Sequence, residues 1–326
     1  IPSVPFIKLN NDSMHQKIPH LIVRNILVLW REMRLSFLPP LLVYMAFGIS
    51  GLTSIVGVFF VKEYLDLSAE FLAGLMFWAN IPWALKMPMG HIVDLIWRFK
   101  SILVYIGAGL IAASLLIMIG LLSQPDDMRA VMPLSAWYVL STLLAPVGYV
   151  IQDVVADAMT VEAVPRVDKQ GKPIDPARIR LMHTTMQTLG RVAVVGGGIV
   201  VAILNIYKFS GVDVMNEADK VRVYIEIFQL ALLIPLVSVI GVGLGGYLKL
   251  RDARRLQAQG HSWQRAWHLV QGQVEKTAPN WFILIGSLVF VAFTISIGLS
   301  ELPLREEIIF AGSMAIVLFL MVRLLK

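Results

Sequence analysis

Three carboxylates stand in one otherwise apolar stretch, YVIQDVVADAMTVEAVP at residues 149–165: Asp153, Asp157 and Glu162. Asp153 and Asp157 are four apart, so on a helix they share a face one turn from each other. The next apolar stretch carries His183, Gln187 and Arg191 at the same spacing. An acidic stripe facing such a stripe has two possible uses: it pins two helices as an ion pair, or it lines a pathway that holds a charged solute or carries a proton. The spacing leaves both open. A further polar group lies earlier, with Asn80, Trp83 and Lys86 set around Pro82 and Pro88. Proline withdraws a backbone donor, and interrupted helices line cavities where they cross a bilayer. Lys86 either snorkels to the membrane surface on its aliphatic stem or brings positive charge into the cavity, pairing there with an anion or an Asp.

The elements that must position these groups are set by composition. The chain is 57% hydrophobic and only 15% charged, with a mean hydropathy of +0.73, whereas soluble domains carry roughly 25% charged residues. Long apolar runs recur along its whole length, which implies an all-α, polytopic membrane protein, because helices satisfy their own backbone in lipid. Spans need about 20 apolar residues, and eight are expected, at 36–61, 70–92, 102–122, 134–164, 179–205, 222–248, 280–300 and 306–324. Residues 1–35 read as an N-terminal segment, with HLIVRNILVLW an amphipathic stretch at the interface. The run is short, is broken by Arg24 and lacks a small-residue cleavage site, so it is not a signal peptide.

Basic residues concentrate before span 1 and in 93–101, 165–180 and 249–276, while the alternate loops are acidic, as in EYLD, PDD and NEAD. That asymmetry places the N-terminus in the cytoplasm. The net charge of +6 is therefore a topological signal, not one of nucleic-acid binding. Span 4 then runs inward. At about 1.5 Å per residue from Pro165, Asp157 lies roughly 12 Å deep and Asp153 roughly 18 Å, with Gln187 and Arg191 at matching depths on span 5. Depth thus sets Asp153 against Arg191 and Asp157 against the neutral Gln187. Glu162, near the inner surface, reads as a gate or an interfacial salt bridge beside Arg166 and His183, with a proton site as the weaker alternative.

Residues 36–248 form a six-helix bundle, 249–279 a basic inter-bundle loop, and 280–326 the first two helices of a second, incomplete bundle. Six spans, a long basic loop and further spans are the layout of a transporter made of two six-helix halves. The missing helices, like an N-terminus that starts at Ile1, are read as trimming. Within the loop, Trp263, Trp267, Val270 and Val274 share one helical face. A surface helix anchored at the headgroups and a plain linker both fit. The glycines at 196–198 and 241–246 are read as helix-packing positions. There is no cysteine and no P-loop, the six histidines lack metal-ligand spacing, and no Ser/His/Asp arrangement stands out. No enzyme, metal or cofactor is expected.

Residues 86–105, KMPMGHIVDLIWRFKSILVY, resemble the loop between helices 2 and 3 of the major facilitator superfamily, through Gly90, Asp94, Arg98 and Lys100. The resemblance implies a major facilitator-type bundle and a cytoplasmic latch of these residues, which Glu162 would join. Trp97 stands where a second Gly is usual and Leu95 where a basic residue is common, which implies a looser latch. Lys86, Pro88, Gly90 and Asp94, taken with QDVVADAMTVEA, resemble more specifically the folate–biopterin transporter family, whose fourth helix has an acidic pattern matched by Asp153, Asp157, Ala158 and Glu162. The resemblance covers roughly 40–205. The insert RVDKQGKPIDPAR is longer than the family's tight connection. A related branch, the bacteriochlorophyll-delivery proteins, shares part of the loop pattern.

The resemblance implies a proton-coupled symporter of a pterin- or folate-type organic anion in a bacterial inner membrane. Lys86 and Arg191 would attract the anion, Asp157 would carry the proton or hold the amino edge of a pterin, and Asp153 would stay ionised beside Arg191. Trp78, Trp83 or Tyr149 would stack on the ring. The alternative is a non-transporting assembly or accessory subunit that binds a pigment or a larger membrane complex and has partner subunits. A channel is disfavoured, since no polar repeat lines a pore.

Overall fold

The structure is a computed structural model that describes residues 33–60, 64–65, 67–168, 170–271, 278–300 and 302–324. The amphipathic stretch expected at 20–30, and Val274 of the basic loop, lie outside the described residues. The described residues form helices throughout, with one isolated β-bridge between Val167 and Pro173. In chain order the helices are α1 (Leu38–Ile49), α2 (Ser54–Phe60), α3 (Ala69–Ala84), α4 (Lys86–Leu95), α5 (Lys100–Ser123), α6 (Pro125–Val131), α7 (Leu134–Ala163), α8 (Pro176–Phe209), α9 (Glu217–Ala231), α10 (Leu233–Ala258), α11 (Trp263–Gln271), α12 (Trp281–Gly298) and α13 (Arg305–Leu324). Among the described residues, six segments are long and apolar enough to cross a membrane: Leu35–Val58, Lys100–Ser123, Leu134–Ala163, Pro176–Phe209, Glu217–Ala258 and Trp281–Gly298.

Two of the eight expected spans are not among the six. The one expected at 70–92 is two helices, α3 and α4, which meet at Leu85 (φ −85°, ψ 3°). Proline chemistry explains the break: Pro88 has no N–H to return to the carbonyl of residue 84, and its ring crowds that carbonyl. The expected eighth span is α13, a 20-residue helix with Arg305, Glu306 and Glu307 in its first turn and Arg323 in its last. The sixth extends beyond its expected bounds, because α9 and α10 follow each other with only Leu232 between and α10 runs on to Ala258. A boundary at 248 would therefore cut a helix. The basic loop beyond it is largely helical as well: α11 packs on α10 with Ala266 fully buried, and Trp263 stacks on Trp267 at 5.6 Å.

α7 is the hub. It lies along α5 over its length, and α1, α3 and α4 also pack on it. Lipid gives helices no hydrophobic reason to associate, so close packing and interhelical hydrogen bonds must do it. Gly107 on α5 and Gly148 on α7 let the two backbones touch, and a Cβ on Gly148 would fall 2.6 Å from the Gly107 carbonyl oxygen. Ser114 and Ser141 meet at 2.9 Å across the same interface. Gln152 donates to the Val104 carbonyl (3.3 Å) and accepts from the Ser238 hydroxyl (2.9 Å), joining α5, α7 and α10.

The antiparallel neighbour expected for span 4 is span 5, and here the structure differs. α8 packs mainly on α1 and touches α7 only marginally. The connection between them is a small hairpin that pairs Val167 with Pro173, in which Asp168 Oδ1 accepts from the amides of Gln170 and Lys172, each at 2.9 Å. The hairpin turns at Gly171, whose φ of +80° suits glycine. It leans on His261 and Leu256 at the α10–α11 corner, and the start of α8 stays beside the end of α7, where Met182 and Met186 share an apolar cluster with Ala163 and Val164.

Candidate functional site

The break at Leu85 places Lys86 at the first position of α4, beside the acidic face of α7. Its ammonium lies 2.5 Å from Asp153 Oδ2 and 3.0 Å from Asp157 Oδ2. One cation is therefore shared by two carboxylates a helical turn apart. The second oxygen of Asp157, Oδ1, accepts a hydrogen bond from the Tyr44 hydroxyl of α1. Asp153 is buried at 7% exposure, whereas the Asp157 side chain is 50% exposed and that of Lys86 40%. The cluster thus has a closed side at Asp153 and an open side at Asp157.

The open side faces a cavity of about 490 Å³ lined by Trp83 of α3, Lys86 and Gly90 of α4, Asp157 of α7 and Ser287 and Phe290 of α12, with α13 completing the wall. Cavities of this size suit small organic ligands. Next to it Phe47 of α1 packs against Trp83 at 5.3 Å and Tyr149 at 6.3 Å. Two of the three aromatic residues expected to stack on a ring are thus in one cluster with Phe47. The third, Trp78, instead covers Gly298 of α12.

The partner of the acid pair is Lys86 rather than Arg191. Arg191 forms no salt bridge with a described residue, although its charge reaches both Asp153 and Tyr44. Matched depth alone does not give this partner, because α8 packs mainly on α1 and little on α7. Gln187, exposed on α8, does not meet Asp157. His183 is half-buried within reach of the Arg166 charge. Asn80 is exposed and its amide donates to the Met76 carbonyl of its own helix at 2.8 Å.

A second cluster sits at the far end of α7. Glu162 accepts from Lys100 through Oε1 and from Lys249 through Oε2, the latter at 2.5 Å. The carboxylate and Lys100 are almost wholly enclosed, with side-chain exposures of 10% and 6%. Lys100 also lies 3.9 Å over the Trp97 ring and donates to the Trp97 carbonyl. Glu162 thus ties α5, α7 and α10 together, and its partners are Lys100 and Lys249 rather than Arg166 and His183. Of the latch residues implied by the resemblance, Lys100 and Glu162 meet directly. Asp94 is exposed and acts on Lys100 only through its charge. Gly90 has open space around it and lines the cavity, and the side chain of Arg98 lies outside the described residues.

Two partners are hidden in the sequence. Lys249 reads as one of many loop charges, and Tyr44 as part of an apolar span. A signal for Tyr44 does exist, because it is the only residue of α1 with a polar side chain.

No family model, no curated protein and no solved structure matches the chain. What the fold and site define is therefore a class: a helical membrane protein with a half-open charge cluster beside a cavity.

Proposed function

We propose that the protein is a secondary transporter of the major facilitator type, moving an organic anion of the pterin or folate class in symport with protons, in a bacterial inner membrane with its N-terminus in the cytoplasm. The observation that carries this reading is the sharing of Lys86 between Asp153 and Asp157 at a helix break that opens on the cavity. Charged groups in spanning segments are costly and are kept where they line a pathway. Asp157 accepts and Lys86 donates side by side, which complements the adjacent donor and acceptor groups of a pterin edge, and Trp83 offers a face for its ring. Asp157, open to the cavity, is the group that exchanges a proton or meets the solute. Asp153, closed off, anchors Lys86. The Glu162 cluster holds the cytoplasmic end.

The test is uptake of radiolabelled folate into proteoliposomes under an imposed pH gradient. Gradient-dependent uptake that Asp157→Asn abolishes supports the reading. Absence of uptake, together with a coloured pigment or a partner subunit that co-purifies, would move the assignment to the accessory-subunit alternative.

A further inference from the structure

We infer that Tyr44 is the positioning residue that fixes how Asp157 is presented to the cavity, an inference that rests on the transport reading above. A carboxylate on a helix can rotate about its last bond, and a half-exposed one has no packing to stop it. Asp157 is held at both oxygens: Oδ2 by Lys86 at 3.0 Å, and Oδ1 by the Tyr44 hydroxyl. Lys86 alone does not define that orientation, because its ammonium is also engaged by Asp153 at 2.5 Å. Among the described residues, the phenol is the partner that belongs to Asp157 without competition from Asp153.

The phenol is itself held in place. Tyr44 lies against Gly190 of α8, where a Cβ would come within 2.9 Å of the ring. Gly190 is buried, and Leu189 beside it is 9% exposed. The glycine makes a seat for the ring, so α8 sets the aim of Asp157 through Tyr44 without touching the carboxylate. Tyr44 does not line the cavity, while Asp157 and Lys86 do, so its effect on a bound solute passes through Asp157. Each carboxylate oxygen keeps a second acceptor site when one is occupied, so the half-exposed Asp157 retains acceptor capacity at the cavity it lines.

The experiment compares wild type, Tyr44→Phe, Gly190→Ala, the double variant and Asp157→Asn for radiolabelled folate uptake in proteoliposomes. Tyr44→Phe keeps the ring on Gly190 and removes only the donor. It should raise KM roughly tenfold, the scale of a lost hydrogen bond to a charged group, and leave the maximal rate within about twofold. Gly190→Ala should raise KM by a similar factor. In the Tyr44→Phe background it should add nothing to KM, because both changes act through one hydrogen bond. A purely structural role predicts additive KM effects or a fall in maximal rate that follows loss of folded protein. If Asp157→Asn abolishes uptake while Tyr44→Phe has a normal KM, the positioning role is overturned and the transport reading stands. If Asp157→Asn transports at the wild-type rate, the transport reading fails and this inference with it.

Discussion

Asp157 and Glu162 are carboxylates on the same helix, about one and a half turns apart, yet their surroundings have opposite stoichiometry. Around Glu162 one acid meets two lysines, Lys100 and Lys249, in an enclosed site. Around Lys86 one cation meets two acids, and the outer acid is half exposed. Both oxygens of Glu162 are taken by cations from two other helices and its side chain is only 10% exposed, so no ligand reaches it and it serves to hold α5, α7 and α10 together. Asp157 gives one oxygen to a shared ammonium and one to a neutral phenol, and still faces a cavity. The saturated, enclosed cluster is a clamp, and the under-neutralised, open one has capacity left for a ligand. The same residue types separate into structure and function by partner count and exposure.

The largest effect should come from breaking the clamp. Glu162→Gln leaves Lys100, which is 5% exposed, as a buried cation with no directly bonded counter-charge, Asp94 acting on it only from a distance. Removing one partner of a buried ion pair costs about 3–5 kcal/mol, so the thermal unfolding midpoint in detergent should fall sharply and the folded yield with it. Replacing the whole cluster by hydrophobic residues of similar length, Glu162→Leu with Lys100→Met and Lys249→Met, should recover most of that loss, because the desolvation of all three charges disappears together. A loss below about 1 kcal/mol for Glu162→Gln would mean that the site is wetter than a clamp allows.

Next is Asp157→Asn, which should reverse the pattern. The amide keeps the shape and sits half exposed, so stability should change by no more than about 1 kcal/mol. Uptake should drop at least about a hundredfold, since an amide neither carries a proton nor pairs with a cation. If Asp157→Asn instead unfolds the protein as Glu162→Gln does, the division between clamp and site is lost.

The legible part of the fold and site is the part that local sequence encodes. Apolar length locates six of the eight expected spans, because the bilayer imposes it on each helix separately. The break in the second one is legible too, since Pro88 acts on its own backbone, whereas Pro82 is carried inside α3. Partner identity is not, because it depends on which helices are neighbours. Matching depths between span 4 and span 5 assumes that chain order sets contact, but α8 packs mainly on α1. Lys86 and Asp157 each stand out, yet nothing local joins them across 71 positions of chain. Tyr44 shows the limit most plainly: its hydroxyl matters only because a glycine on a different helix seats its ring.

Smaller effects separate the scaffold from both clusters. Gly148→Ala would push a methyl group to 2.6 Å from the Gly107 carbonyl oxygen, which the α5–α7 crossing can relieve only by moving apart. Overpacking of this kind costs about 1–3 kcal/mol. It should lower the unfolding midpoint while the KM for folate stays at its wild-type value, because no group facing the cavity changes. A raised KM would mean that the crossing and the site are coupled, and that α7 adjusts its acids as it shifts.

The smallest expected effect is that of Asp153→Asn, and it tests the stoichiometric comparison most directly. Asp153 is the more buried acid and is the nearer to Lys86, so burial alone would rank it with Glu162. Partner count ranks it differently. Removing its charge takes the cluster from two acids and one cation to one of each, and Lys86 keeps Asp157 as its counter-charge. No charge is stranded, so the unfolding free energy should move by less than about 1 kcal/mol in either direction. Uptake should survive with KM raised about threefold, because Lys86 then gives its full charge to Asp157 and uses up part of the capacity that faces the cavity. Should Asp153→Asn instead destabilise the protein as much as Glu162→Gln, burial and not partner count would set the cost, and the two ends of α7 would be two clamps.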